Sequence, residues 1–140
     1  GSGLSGAQLN VGWTPDQIAR WEKAEENDDW PAMAELDMEV WAPMGVDPEL
    51  RAMFLENAVW SNSEDPATDE PMAERVSGIT APTLVITGGR DVRGINEIGD
   101  RLARDIPGAQ SAVIEEADHM IPWRAPEELS HLVLDFLAGR

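Results

Sequence analysis

The chain has 140 residues, with 10 Lys or Arg against 27 Asp or Glu, giving a formal net charge of −17. That length allows one domain with a real hydrophobic core, and that acidity argues against nucleic acid or an anionic membrane as partner, since both call for basic patches. There is no cysteine, which excludes disulfides and thiolate chemistry; with no signal peptide or apolar run of spanning length in view, a soluble, cytoplasmic protein is expected.

Residues 1–12 read as loop, either an expression-derived start or the native connection after a strand. Within them Gly3-Leu4-Ser5-Gly6-Ala7 loosely matches G-x-S-x-G. A nucleophile elbow needs a strand before its serine and a helix after it. Neither pattern is present, so Ser5 is not taken as a nucleophile.

Residues 13–71 read as a helical unit with a loop at its end. Thr14-Pro15-Asp16-Gln17 is a capping box with proline at the first helical position, and Ile18, Trp21 and Ala24 follow on one face. Asp28 or Asp29 caps a second helix whose apolar set is Met33, Leu36, Val40 and Trp41, ended by Pro43 and Gly45. Asp47-Pro48 opens a third, with Leu50, Met53, Phe54 and Ala58 predicted to face inward. All but one of the 6 tryptophans fall here, with Met33, Met38, Met44 and Met53. Such residues fill a core, and they also suit an apolar pocket; Trp41 and Met44, near a helix end, are the pocket candidates. The acidic run from Glu22 to Asp29 reads as a solvated face without metal-ligand spacing. Residues 61–71 are polar and proline-containing, a connection.

Residues 72–140 change character. Leu84-Val85-Ile86 is a β-branched apolar run stopped by Gly88-Gly89, which predicts a strand buried on both faces. Asp91 arrives just past its end, where ligands meet parallel sheets; taken alone, it serves equally as a helix cap or turn former. Ile95, Ile98, Leu102 and Ile106 then mark an amphipathic helix from Gly94 to Ile106, closed by Pro107-Gly108. Gln110 to Ile114 is a second strand, and His119 follows it. A strand–helix–strand crossover brings successive strand ends to one edge of a parallel sheet, so Asp91 and His119 are expected to meet. An Asp bonded to one ring nitrogen leaves the other as general base. Met120, beside His119, is a further candidate for substrate contact. Pro126 opens a last helix through Ala138, with Leu129, Leu132, Val133, Phe136 and Leu137 predicted to pack on the sheet; His131 on it reads as an ordinary surface or packing residue.

The run Ile79-x-x-Pro82-Thr-Leu-Val-Ile-x-Gly88-x-x-Asp91, then Leu102-x-x-x-Ile106-Pro107-Gly108-Ala109, Ala117-x-His119 and Pro126-Glu127-Glu128 into Val133-x-x-Phe136-Leu137 resembles the C-terminal end of an α/β-hydrolase. The resemblance implies an α/β fold in which 13–71 is a cap or lid and 72–140 is the C-terminal part of the core. It implies Asp91 as triad acid and His119 as triad base, with no cofactor and no metal. The nucleophile and oxyanion donors of that family come from an N-terminal half that this sequence does not display. The expected activity is hydrolysis of carboxylic esters or lactones of small apolar substrates, the chain alone being inactive. Dehalogenase, epoxide hydrolase and carbon–carbon hydrolase chemistry remain open, as does a non-catalytic interaction module on the same scaffold. Two parallel strands leave edges and faces uncovered, so association with an N-terminal half or with a second copy is expected.

Overall fold

The computed structural model describes residues 12–61 and 72–139. The expectations for the first eleven residues, Ser5 included, and for the connection from 62 to 71 lie outside the described residues. The chain divides into two compact units, one of Gly12–Thr68 and one that takes in Asp69–Arg140.

The first unit holds three helices, α1 (Pro15–Glu26), α2 (Trp30–Trp41) and α3 (Pro48–Ser61). Each starts where a side chain satisfies amide groups that the helix cannot. The Thr14 hydroxyl accepts from the Gln17 amide and the Gln17 side chain accepts from the Thr14 amide, a complete capping box ahead of Pro15. Asp28 takes a left-handed φ of 51° in the turn, and Asp29 then accepts from the Ala32 amide to open α2. Asp47 accepts from the Glu49 and Leu50 amides at 3.0 and 2.9 Å to open α3. α2 packs against both neighbours, and Met33, Leu36 and Leu50 are fully buried there with Ala24, Val40, Phe54 and Ala58 around them. Arg20–Glu39 and Arg51–Glu35 pairs bridge the helices at the surface, where solvent leaves such pairs little net value.

One inward assignment is corrected: Met53 is exposed, and Ile18, on the apolar face of α1 with Ala24, is exposed as well. Asp37 is half-buried and accepts from the Trp41 indole Nε1 at 3.2 Å. Burial pushes the Asp37 carboxyl above the usual carboxylate range, and the indole hydrogen bond opposes this only in part.

The second unit begins with two 3-10 turns, Met72–Glu74 and Val76–Gly78, followed by β1 (Leu84–Gly88), α4 (Arg93–Asp105), β2 (Gln110–Ile114), α5 (Ile121–Arg124) and α6 (Pro126–Leu137). β1 and β2 pair in parallel, from Leu84 opposite Gln110 to Gly88 opposite Ile114. α4 is the crossover and lies against β1. It comes close because position 99 is glycine, where a Cβ would sit 2.4 Å from Thr87 Cγ2. Ile95, Ile106, Ile114 and Ala117 form the buried centre of this unit with Ala73 and Val76.

Two further expectations are corrected here. Leu84, Val85 and Ile86 are half-buried where burial on both faces was expected. Among the described residues α4 and α6 both touch the strand pair, and neither encloses it. α6 does meet the sheet at β2, with Leu129, Leu132 and Phe136 half-buried, but Val133 and Leu137, expected to face inward with them, are exposed, Leu137 at 72%. The helical period of α6 is present, but its apolar stripe outruns the surface available to it. Among the described residues, no helix is long and apolar enough to cross a membrane.

Two stability measurements test this packing. Leu50→Ala is expected to cost about 2–5 kcal/mol in chemical denaturation, the cavity range for a fully buried leucine. Because the folded state raises the Asp37 pKa, ionising Asp37 disfavours folding; the cost is absent below the unfolded carboxyl value of about 3.9 and complete above the folded one. Asp37→Asn should therefore raise the Tm at neutral pH, with the gain vanishing as the pH is lowered through the carboxylate range.

Candidate active site

The ends of β1 and β2 meet because glycine occupies the point of contact. A Cβ at Gly88 would lie 2.4 Å from the Ala117 carbonyl oxygen and 2.6 Å from that of Asp118, and one at Gly89 would lie 2.7 Å from the Glu115 carbonyl oxygen. With no side chain there, backbone bonds cross between the two loops. The Gly89 amide donates to the Ile114 carbonyl and the Arg90 amide to the Ala117 carbonyl, both at 2.9 Å. An Arg90–Glu116 ion pair spans the same junction.

This junction brings Asp91 and His119 together. His119 Nδ1 is 2.7 Å from Asp91 Oδ2, with the Asp91 side chain 3% exposed and that of His119 24% exposed. Asp91 Oδ1 accepts from the Val92 amide at 2.7 Å, at the entry to α4. A carboxylate accepts only, so Nδ1–H donates to it and Nε2 is the acceptor nitrogen of the neutral ring. The acid is sheltered and the base reaches the surface. That arrangement can hold one imidazole tautomer and stabilise the imidazolium formed when Nε2 takes a proton.

The other site candidates are placed differently. Met120 is half-buried and directly follows His119, as the residue that precedes α5. Trp41 and Met44 belong to the helical unit, Trp41 half-buried on Asp37 and Met44 exposed. His131 is exposed on α6, along an open groove with Glu128 and Asp135. Among the described residues, no group of three or more His, Cys, Asp or Glu is arranged to hold a metal ion.

Sequence reasoning missed Asp118. Its side chain is fully buried; Oδ1 accepts from the Met120 amide at 3.0 Å and from Arg124 Nε at 3.0 Å, while Oδ2 accepts from Arg124 Nη2 at 2.9 Å. An acid immediately before His119 and an arginine one turn-and-helix later were visible in the sequence. Nothing in their spacing distinguished them from the many surface charges.

No protein-family model matches the chain. A 2-hydroxy-6-oxononadienedioate/2-hydroxy-6-oxononatrienedioate hydrolase of Cupriavidus pinatubonensis is 36% identical over 89 residues, which cover 64% of this chain and 31% of that protein. A 2-hydroxy-6-oxo-6-phenylhexa-2,4-dienoate hydrolase of Burkholderia cepacia is 33% identical over 100 residues, 71% of this chain and 33% of that one. The match thus spans about a third of the length of these curated relatives. Among solved structures, Est816, described as an N-acyl homoserine lactone degrading enzyme, superposes with a TM-score of 0.60 at 26% identity, covering 95% of this chain and 55% of that one. The carboxylesterase CesB of Bacillus subtilis shares the fold at a TM-score of 0.59 and 19% identity, over 82% of this chain and 46% of that one. The chain is an α/β fold whose helical cap and parallel-strand core resemble the C-terminal part of α/β-hydrolases.

A methyl group at the junction tests the geometry. Gly88→Ala must push the Ala117 and Asp118 carbonyls away, which is expected to cost about 1–3 kcal/mol, the usual range for overpacking. It should also break the Asp91–His119 hydrogen bond. In the parent, the His119 Nδ1 proton should give a protected low-field NMR signal that disappears in the variant; a variant that keeps it would show that the close approach is not what joins the loops.

Proposed function

We propose that this chain supplies the cap, the triad acid Asp91 and the triad base His119 of an α/β-hydrolase that cleaves carbon–carbon bonds in small 2-hydroxy-6-oxo-dienoate-type substrates. The observation that carries the reading is the 2.7 Å contact between Asp91 Oδ2 and His119 Nδ1 at the joined strand ends. The curated relatives favour the carbon–carbon reaction over the ester or lactone hydrolysis suggested by the motif pattern alone. A 6-oxo acid of this kind carries no ester, so hydrolysis has to break a bond from the ketone carbon to a neighbouring carbon. Oxygen from water ends on the former ketone carbon, which becomes a carboxylate, and a proton ends on the released carbon.

In this scheme Asp91 keeps the His119 ring oriented, and Nε2 removes the proton from the attacking hydroxyl and later returns one to the leaving group. The nucleophile and the oxyanion donors come from a complementary N-terminal half; a second copy of the chain is the alternative occupant of the open surface and brings no nucleophile. Support for a partner is the uncovered apolar surface on α6 and β2, at Val113, Val133, Leu134 and Leu137. Met120, which follows His119, is the candidate for contact with the apolar part of the substrate. Hydrolysis of an ester or lactone is the second reading, favoured by the structural likeness to Est816.

The test is turnover by the chain assembled with an N-terminal hydrolase half, using a 2-hydroxy-6-oxo-dienoate followed by its absorbance and an aryl ester in parallel. His119→Ala and Asp91→Asn are each expected to lower kcat by about 10³-fold or more, the scale on which triad members act. Turnover of the ester alone would favour the second reading. Binding that survives His119→Ala with no turnover in the parent would make the chain an interaction module. A strictly monomeric chain that ignores the N-terminal half in sedimentation would contradict the proposed partner.

A further inference from the structure

We propose that Asp118 and Arg124 form a positioning clamp that fixes the direction of the His119 imidazole; the inference rests on the reading of His119 as triad base. The carboxylate of Asp118 is fully buried next to His119 in the chain. Through Oδ1 it holds the amide of Met120, the residue on the other side of His119. One buried side chain therefore restrains the backbone on both flanks of the histidine.

Arg124 completes the restraint. Its guanidinium meets the same carboxylate through Nε and Nη2 at 3.0 and 2.9 Å, a forked pair that defines a plane as well as a distance. Arg124 ends α5, whose 4 residues are too few to hold a helix unaided. The fork ties that short turn back to residue 118 and gives the loop after His119 one shape. On the near side, the carbonyls of Ala117 and Asp118 rest against Gly88. His119 is thus set between a backbone wall and an ionic fork, and Asp91 receives Nδ1–H from a ring that is already aimed.

A buried ion pair is a poor source of net stability, because desolvation offsets most of the attraction. The forked geometry, in contrast, resists rotation of the loop, which matters at a site where a displacement of about 1 Å costs about 10²-fold in rate. Asp118 and Arg124 touch neither the proton in transit nor the reacting carbon; their effect passes through His119.

The experiment reads the imidazole itself on this chain, without catalysis. Arg124→Lys keeps the charge and loses the fork, and Asp118→Asn keeps the shape and loses the charge. In both, the His119 Nδ1 proton should exchange with solvent faster than in the parent and the ring nitrogen shifts should report mixed tautomers. In the enzyme assembled with an N-terminal half, Arg124→Lys should lower kcat by about 10²-fold while KM changes little. Folded variants with parental Nδ1 exchange and parental nitrogen shifts would overturn the clamp. Should the single variants not fold, the paired change Asp118→Leu with Arg124→Met removes both charges at once and decides: a folded protein with a loosened imidazole supports the clamp, and one with a parental imidazole overturns it. Failure of that pair to fold would also overturn it, making these residues a requirement of the fold. The two readings separate cleanly: if His119→Ala costs the assembled enzyme nothing, the hydrolase reading falls while the imidazole result still reports on the clamp.

Discussion

Two strand ends can hold a carboxylate against an imidazole only when the loops beyond them touch, and in this protein they touch at Gly88. The carbonyls of Ala117 and Asp118 occupy the volume that any side chain at position 88 would need. From that close approach follow the amide bonds of Gly89 and Arg90 across the junction, and from those the contact of Asp91 with His119. Burial of the acid and partial exposure of the base divide their parts in the proposed reaction, one holding charge in place and the other exchanging a proton.

The two units differ in how far they complete themselves. The helical unit closes over Met33, Leu36 and Leu50, with side-chain caps at the start of each helix. Among its described residues, the strand unit leaves apolar surface open. Its parallel pair is half-buried, β2 exposes Val113, and α6 turns Leu134 and Leu137 outward. Parallel strands are ordinarily covered on both faces, so a surface of this kind is suited to further sheet and helix. That asymmetry agrees with the match of this chain to about a third of the length of its curated relatives.

The proposed chemistry is economical for the residues present. An oriented imidazole serves ester, lactone and carbon–carbon hydrolysis alike, because in each a hydroxyl must lose a proton and a leaving group must gain one. Choice among these reactions rests on groups that bind the substrate and on the nucleophile. The same fold therefore supports likeness both to dienoate hydrolases and to a lactone-degrading enzyme.

Much of the local structure was legible in the residues. The capping box at Thr14, the strand from Leu84 ended by glycine, the amphipathic α4 and the second strand from Gln110 are all set by interactions within a few residues. The meeting of Asp91 with His119 was legible too, since a parallel crossover leaves little choice about which edge successive strand ends share. What tertiary structure alone decided concerns contacts that no period encodes. Ile18, Met53 and Leu137 fit an apolar stripe yet face outward, because burial depends on which neighbour is there to cover the stripe. Asp118 and Arg124 look like two more charges in an acidic chain until a turn and a one-turn helix fold them onto each other, and only that enclosure makes an ion pair of them.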